Sequence, residues 1–523
     1  MLKKFLFIGF YLFFCALILA ASIRGIAGNP NSETLNSSQW KDEGPLELSP
    51  DRGRFALTYS LVEDHSPYFS LPVARFVTPD LGYSAGRYVS LFSPGVSYLT
   101  IPGYVLGKSL GISQVGTFAA VTFFALLNVL LILLLAQYLG TSLFAAVLGS
   151  LVFIFATPAF SYGVTLYQHH ISTFLILLSI YVLLAFRGFW PLAIVWFLIS
   201  AAIPIDYPNL ILMLPIGLYA LSRIIMLKEG ATEFKLDFKL PAFLTFATAG
   251  IPLIFFLWFN QVSYGNPFQL SATVPTVKAI DERGLPTTPQ SAGTEVIERF
   301  VNPELQDKSL VRFFKSRNIL NGFYIHFLSP DRGIIYYTPV ILFAVFAILP
   351  LYKKNSRVLA LLLSIIGMGI LLYSMWGDPW GGWAFGSRYL IPAYALFSIL
   401  LAVTLDNIKK NIFLSLLFFA LLCYSISVNS LGALTSNRNP PQAEVLALEE
   451  LSGVEQKYTY ERNYDFLYSN RSKSYVYQTF LKDYLYAWEY YRLITFTIIG
   501  VAGLLVILLN VEKGYIGGEN DKS

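Results

Sequence analysis

The chain has 523 residues, 55% hydrophobic and 13% charged, with a formal net charge of +5. Apolar stretches long enough to cross a bilayer recur along it, which excludes a soluble globular enzyme and points to a polytopic membrane protein. Its Lys and Arg residues form no basic stripe with interleaved aromatics, so the charge is a topology signal and not a nucleic-acid surface.

Residues 5–21 follow Lys3 and Lys4 with no small-residue cleavage motif after them and are expected to stay as a helix. Further spans are predicted at 114–137, 142–161, 171–186, 189–205, 208–226, 241–260, 334–351, 357–375, 389–405, 411–428 and 493–511, about twelve in all, each near the roughly 17–25 residues a bilayer needs. Lys3/Lys4, Arg187, Arg223/Lys228, Lys235/Lys239, Lys353/Lys354/Arg357, Lys409/Lys410 and Lys513 then share one side, which the positive-inside rule makes cytoplasmic. The expectation is a multi-pass plasma-membrane protein with both termini in the cytoplasm. Three long segments, 22–113, 261–333 and 429–492, fall outside. The corresponding division is a membrane module over 1–428, an extracytoplasmic segment over 429–492, and a last span with its tail over 493–523.

The first outer segment begins with a polar stretch, Asn29 to Glu47, followed by Ser49 as an expected N-cap and Pro50 at the first helical position. Phe55, Tyr59 and Val62 recur at near-helical spacing, which predicts a helix lying along the membrane surface. Asp51 stands in its first turn, where a carboxylate is favoured in the ionised form and suits a base or an acceptor-orienting group. Arg52 and Arg54 flank Gly53 beside it. Tyr83-Ser84-Ala85-Gly86-Arg87-Tyr88 then supplies an arginine between aromatics, readable as substrate-positioning or as a membrane anchor. Ser93-Pro94 opens the apolar stretch Gly95 to Leu110, read as a half-embedded interfacial helix, with a re-entrant segment as the alternative. A full span there would invert every later loop.

Further polar groups stand at the outer ends of spans: Gln168-His169-His170, Asp206-Tyr207-Pro208, Asn260 with Tyr264-Gly265-Asn266-Pro267, Ser329-Pro330-Asp331-Arg332-Gly333, and Trp376 to Trp383 leading to Arg388. Ionisable residues at membrane depth are costly and are functional candidates by default. Each also has a plainer reading. The two histidines lack a third metal ligand and read as hydrogen-bonded interfacial residues. Asp331 reads equally as a helix cap, and the glycines and tryptophans of 376–383 as a turn with an interface anchor. Arg332 and Arg388 stand where a guanidinium can hold a lipid phosphate bidentately. Cys15 and Cys423 lie inside spans as free thiols, and Asn36 and Asn470 open sequons. The 429–492 segment, rich in tyrosine, reads as a small extracytoplasmic cap whose rings could stack on sugars or pack on headgroups.

These segments resemble the polyprenyl-phosphate-sugar-dependent integral membrane glycosyltransferases called GT-C. Asp51-Arg52-Gly53-Arg54-Phe55 resembles the Asp-Glu-x-Arg-Tyr segment of the lipid A aminoarabinose transferase and protein O-mannosyltransferase group, with Arg52 in place of the second acidic residue. Tyr88 to Gly95, Asp206-Tyr207-Pro208, Tyr264 to Pro267, Ser329 to Gly333 and Trp383 to Tyr389 are similar to its less characterised bacterial and archaeal branch. The resemblance implies an all-α GT-C fold that transfers a sugar from a dolichyl- or undecaprenyl-phosphate carrier to an extracytoplasmic lipid, glycan or protein acceptor, with inversion. It implies Asp51 as catalytic base or acceptor-orienting group, Arg332 and Arg388 as phosphate ligands, and Arg54, Arg87, His169 and Asp206 in substrate positioning. The expected partners are membrane lipid, the lipid-linked donor and the acceptor, with no nucleic acid. No cofactor is assigned, and the polyprenyl-phosphate-linked sugar is the donor substrate. No Asp-x-Asp occurs in the first outer segment, and a divalent metal stays open.

Two other readings fit the same composition. A transporter or flippase of a lipid-linked or small polar substrate also uses about a dozen helices with intramembrane polar groups. The one-sided charges, uneven outer segments and absence of an internal repeat favour an interfacial enzyme over it. A ligase or polymerase of lipid-linked glycans would share carrier and compartment.

Overall fold

The computed structural model describes residues 2–519 apart from 42, 230–233, 239, 288–312 and 409–410. The chain is an all-α polytopic membrane protein. Helices long and apolar enough to cross a bilayer are Leu2–Ser22, Ser113–Tyr138, Pro241–Tyr264, Pro339–Ser374, Arg388–Ile408, Ile412–Leu434 and Ala487–Val511. Shorter apolar helices at Leu143–Phe155, His169–Ala185, Phe189–Ala201 and Asn209–Leu221 complete the bundle.

Pro339–Ser374 is two passes joined by a turn. Asn355 leaves the helical conformation, and its side chain accepts a hydrogen bond from the Val358 amide as the cap of the second pass. Thr338 reaches the Ala156 carbonyl at 2.6 Å, the end of Leu143–Phe155 remote from Asp406. Lys354 reaches the Leu139 carbonyl at 2.6 Å at the opposite end of the bundle, and Tyr373 returns to stack on Tyr389 at 4.5 Å. The predicted spans at 334–351 and 357–375 therefore both exist. Other spans shift by a few residues: the one expected at 208–226 ends as a helix at Leu221, and a hairpin of Ile225–Glu229 and Phe234–Phe238 follows. Lys239, Lys409 and Lys410, used in assigning the sides, lie outside the described residues.

Helix Arg388–Ile408 packs at the centre of the bundle, against Leu143–Phe155 and the 339–347 pass. Gly149 fits directly against the Ser398 carbonyl, where an added methyl would lie 2.7 Å away. By contrast, Leu2–Ser22 and Pro241–Tyr264 leave broad apolar faces exposed, among them Phe5, Phe10, Ile251 and Trp258, as lipid-facing helices do.

The segment 22–113 departs from expectation in three ways. The helix begins at Ser49 with Leu48 as its N-cap, and the Ser49 hydroxyl bonds the Asp80 carboxylate instead of capping. That helix, Ser49–Glu63, is buried on nearly every side between Asp51 and Ser60, not on one apolar face alone as its spacing suggests. Gly53 is the physical reason: a methyl there would meet the Phe92 ring at 2.4 Å, so its absence lets the helix sink against Phe92. Third, the segment contributes strands Tyr68–Phe69, Leu81–Ser84 and Arg87–Ser90 to a small sheet that Thr276–Val277 from the 261–333 segment completes, in the order first, third, second, fourth. Its hairpin turns at Ala85 and Gly86, both at positive φ.

The apolar stretch after Ser93-Pro94 forms the helix Gly95–Ser109, which runs antiparallel against the start of Ser113–Tyr138. Gly103, Gly107 and Gly116 bring the two backbones into contact, a small-residue packing usual between membrane helices. Leu99, Val105, Leu106 and Leu110 remain exposed on its other side.

Candidate functional site

Four segments of the chain converge on one buried polar cluster. Asp51 and Arg54 come from Ser49–Glu63, Tyr167, Gln168 and His169 from the entry to His169–Ala185, Asp206 from the turn before Asn209, and Arg388 from the start of the central helix. Asp51 is 2% exposed, Arg54 5%, His169 3% and Tyr167 1%. Burying charges this deeply is costly unless they are paired or meet a ligand.

Tyr167 is the hub. The Arg54 guanidinium lies 5.7 Å from its ring centre and that of Arg388 5.1 Å, while His169 stacks on it at 5.8 Å and 9°. Arg54 also rests over Phe92 at 5.0 Å, donates to Gln168 Oε1 at 2.7 Å and to the Pro50 carbonyl at 3.2 Å. Gln168 in turn donates to Asp206 Oδ2 at 3.0 Å, so the glutamine links an arginine to a carboxylate that never touch. Arg388 donates to the Gly381 carbonyl at 2.6 Å.

What this cluster leaves unused defines its chemistry. Among the described residues, Asp51 Oδ1, Arg54 Nε, Arg388 Nε and Nη1, the Tyr167 hydroxyl and His169 Nε2 are buried with no hydrogen-bond partner. Native proteins rarely leave so many buried polar atoms unpaired in one place unless a ligand completes them. The set contains donors suited to a phosphate and a carboxylate acceptor suited to a hydroxyl.

Burial raises the Asp51 carboxyl to about 7 and the adjacent Glu47 charge adds to this, against the opposing pull of Arg54, Arg24 and Arg388. The sequence-level expectation that the helix N-terminus keeps Asp51 ionised is thus corrected: desolvation outweighs the helix dipole. Asp206 is likewise raised by burial, opposed by its Gln168 hydrogen bond and by Arg54 and Arg388.

Arg332 has a different setting. It is fully buried, and its guanidinium donates to the carbonyls of Trp380 at 3.1 Å, Asp331 at 2.7 Å, Gly382 at 2.9 Å and Asn439 at 3.1 Å. That arrangement clamps the 376–383 loop to the chain after Ile412–Leu434. Asp331 accepts from the Gln442 amide at 2.9 Å and from the Ser329 hydroxyl, and so fixes the first turn of the helix Gln442–Ser452. Arg87 stands at the exposed tip of the hairpin with its guanidinium 4.4 Å from the Tyr68 ring centre, apart from the Tyr167 cluster. His170 faces away from the cluster as well, its Nε2 on the Ala159 carbonyl at 2.8 Å.

Two features of the site escaped sequence reasoning. Tyr167 is one of 33 tyrosines, and only its position between two guanidiniums marks it. The other is a buried ionic staple beside Asp51. Arg24 donates to Glu47 Oε2 at 3.1 Å, to Asn437 Oδ1 at 3.0 Å, to the Ala433 carbonyl at 3.1 Å and to the Gly432 carbonyl. Lys473 approaches Glu47 Oε1 at 3.6 Å. Burial raises the Glu47 carboxyl, but Lys473 and Arg24 with the Asn437 amide outweigh it and hold it below the usual range. Among the described residues, no three His, Cys, Asp or Glu side chains come together as a metal site.

No protein-family model matches the sequence, and no curated protein is significantly similar to it. The solved structures it is similar to include ArnT from Cupriavidus metallidurans in the apo state, at 12% identity with a TM-score of 0.45, covering 97% of this chain and 77% of that one. They also include ArnT from the same organism bound to undecaprenyl phosphate, at 13% identity with a TM-score of 0.42, covering 98% of this chain and 79% of that one.

Proposed function

We propose that this chain is an inverting membrane glycosyltransferase of the GT-C kind, which moves a sugar from a polyprenyl-phosphate carrier to a hydroxyl acceptor at the outer face. The observation that carries the reading is the buried cluster in which an unpartnered carboxylate oxygen of Asp51 lies among unpartnered donors of Arg54 and Arg388. In the proposed step the acceptor oxygen attacks the anomeric carbon as the bond to the carrier phosphate breaks. The acceptor proton passes to Asp51, and the bonding electron pair leaves with the lipid phosphate.

Asp51 suits the base because its carboxyl, raised to about 7, is matched to a near-neutral working pH. Arg388 and Arg54 suit the phosphate because their free donors are already fixed by stacking on Tyr167, so no reorganisation is needed as charge develops. Tyr167 and His169, each with an unpartnered buried atom, are placed to contact the sugar or phosphate between them. Gln168 and Asp206 orient Arg54. Arg332, with its donors spent on carbonyls, is assigned the role of holding the loop that positions Arg388.

The test is lipid mass spectrometry on membranes with the wild-type chain, with Asp51→Asn, and without either. Consumption of a polyprenyl-phosphate sugar only with the wild type is expected. Equal consumption by Asp51→Asn, inserted at the same level, would overturn the assignment of the base. Movement of a lipid-linked sugar across the bilayer with its carrier bond intact would favour a flippase.

A further inference from the structure

A cavity of about 990 Å³ opens on the outer side of the Arg24–Glu47 staple, walled by residues 25–47 and by the segment 436–483. It is separate from the Tyr167 cluster, and the transfer step leaves it without a task. Three arginines on its wall are presented from aromatic faces. Arg438 and Arg462 lie over the same ring, Trp383, at 5.9 and 5.6 Å from its centre, and Arg471 lies over Phe466 at 4.3 Å. Among the described residues none of the three is ion-paired with a carboxylate. Five carboxylates stand on the wall: Glu47 is held by Arg24 and Lys473 and Asp465 by Lys457 at 2.8 Å, and Glu43, Glu455 and Asp483 line it as well. Burial and the nearby Arg438 charge push the Arg462 guanidinium down, against the opposing pull of Asp465 and Glu47.

Two guanidiniums on one tryptophan repel each other, and an anion between them relieves that repulsion while stacking keeps both forks aimed. The cavity is also large. Its volume stands at the top of the roughly 300–1,000 Å³ range of ligand pockets, room for several sugar residues.

We propose that this cavity binds an anionic oligosaccharide, with Arg438 and Arg462 taking a phosphate or carboxylate group on it. Resting on the transferase reading, the oligosaccharide is the remote part of the acceptor. Glu47 connects the two places: it lines the cavity and also acts on the Asp51 charge. Binding energy gained there, away from the reacting carbon, would hold the acceptor in place for transfer.

The experiment is calorimetric titration of the purified full-length protein in detergent with tetragalacturonate, phosphorylated maltotetraose, plain maltotetraose and inorganic phosphate. Saturable binding of at least one charged tetrasaccharide is expected, weakened about tenfold or more in the Arg438→Ala/Arg462→Ala double variant, as for a lost charge-assisted hydrogen bond. Arg438→Lys/Arg462→Lys should fall between the two, and all three proteins should melt alike. Failure of both charged tetrasaccharides to bind, unchanged affinity in the double alanine variant, or equal affinity for plain maltotetraose would overturn the proposal. Inorganic phosphate binding as tightly as the charged tetrasaccharides would reduce the cavity to a simple anion site and overturn its glycan assignment. Binding is read without turnover, so this inference and the role of Asp51 fail separately.

Discussion

At the scale of single residues, Asp51 carries the sharpest predictions. Asp51→Asn should cut turnover by about 10²–10⁴-fold, the usual worth of a positioned base, while leaving donor-lipid binding in place. In the wild type, kcat/KM should rise as Asp51 ionises and level off above about 7. Stability carries the opposite sign. A carboxyl whose folded value is raised favours the folded state while protonated, and that contribution is lost as pH rises through about 7. Asp51→Asn has no such loss, so it should melt higher than the wild type at pH 8, with the advantage fading by about pH 4. A melting difference that does not change with pH would refute the burial of Asp51 described here. The two candidate phosphate arginines separate in the same experiments. Arg388→Ala should weaken donor binding about tenfold or more with little change in melting. Arg332→Ala strips four carbonyls of their donor and should cost about 3 kcal/mol or more, with Arg332→Lys a poor rescue because an ammonium cannot reproduce the planar fork.

Among the elements, the helix Ser49–Glu63 and the staple behind it decide whether the site exists. Glu47→Gln leaves Arg24 buried against carbonyls with no counter-charge, and a broken buried pair costs about 3–5 kcal/mol. The wild-type Glu47 carboxyl is held below its ordinary value by Lys473 and Arg24 despite burial, so its contribution is full above about pH 4.3 and lost as pH falls below that. Acid melting curves of the wild type and Glu47→Gln should therefore converge. Gly53 is equally specific: a methyl placed 2.4 Å from the Phe92 ring forces the helix outward and carries Asp51 and Arg54 with it. The presence of this helix could be read from Ser49-Pro50 and the spacing of Phe55 and Tyr59, but its burial could not. Periodicity reports one apolar face, whereas this helix buries polar residues such as Thr58, whose hydroxyl reaches the Arg54 and Ser97 carbonyls and Thr100. The hairpin at Leu81–Ser90 was illegible for another reason: strands of four residues are too short for an alternation to stand out.

For the whole molecule, the out-and-back path of Pro339–Ser374 predicts opposite exposures at its turn and on the 442–452 helix. In intact cells a membrane-impermeant thiol reagent should label Ser452→Cys and spare Lys353→Cys, both exposed positions, until the membrane is permeabilised. Cys15 is buried and Cys423 half-buried, so the background should be low. From the sequence it follows that the chain crosses a membrane many times, because runs of apolar side chains have no other stable solvent, and that His169, Asp206 and Arg388 at predicted span ends, with Asp51 and Arg54 in the segment after the first span, are candidates for function, because ionisable groups at membrane depth are costly. Tertiary structure alone decided which of them meet. Arg388 and Arg54 share Tyr167 and keep free donors, Arg332 spends its own on backbone carbonyls, and Arg87 stands apart on a hairpin. Those outcomes depend on distances between segments hundreds of residues apart, and on desolvation, which moves Asp51 from a charged group to one poised near neutrality and which no local pattern encodes.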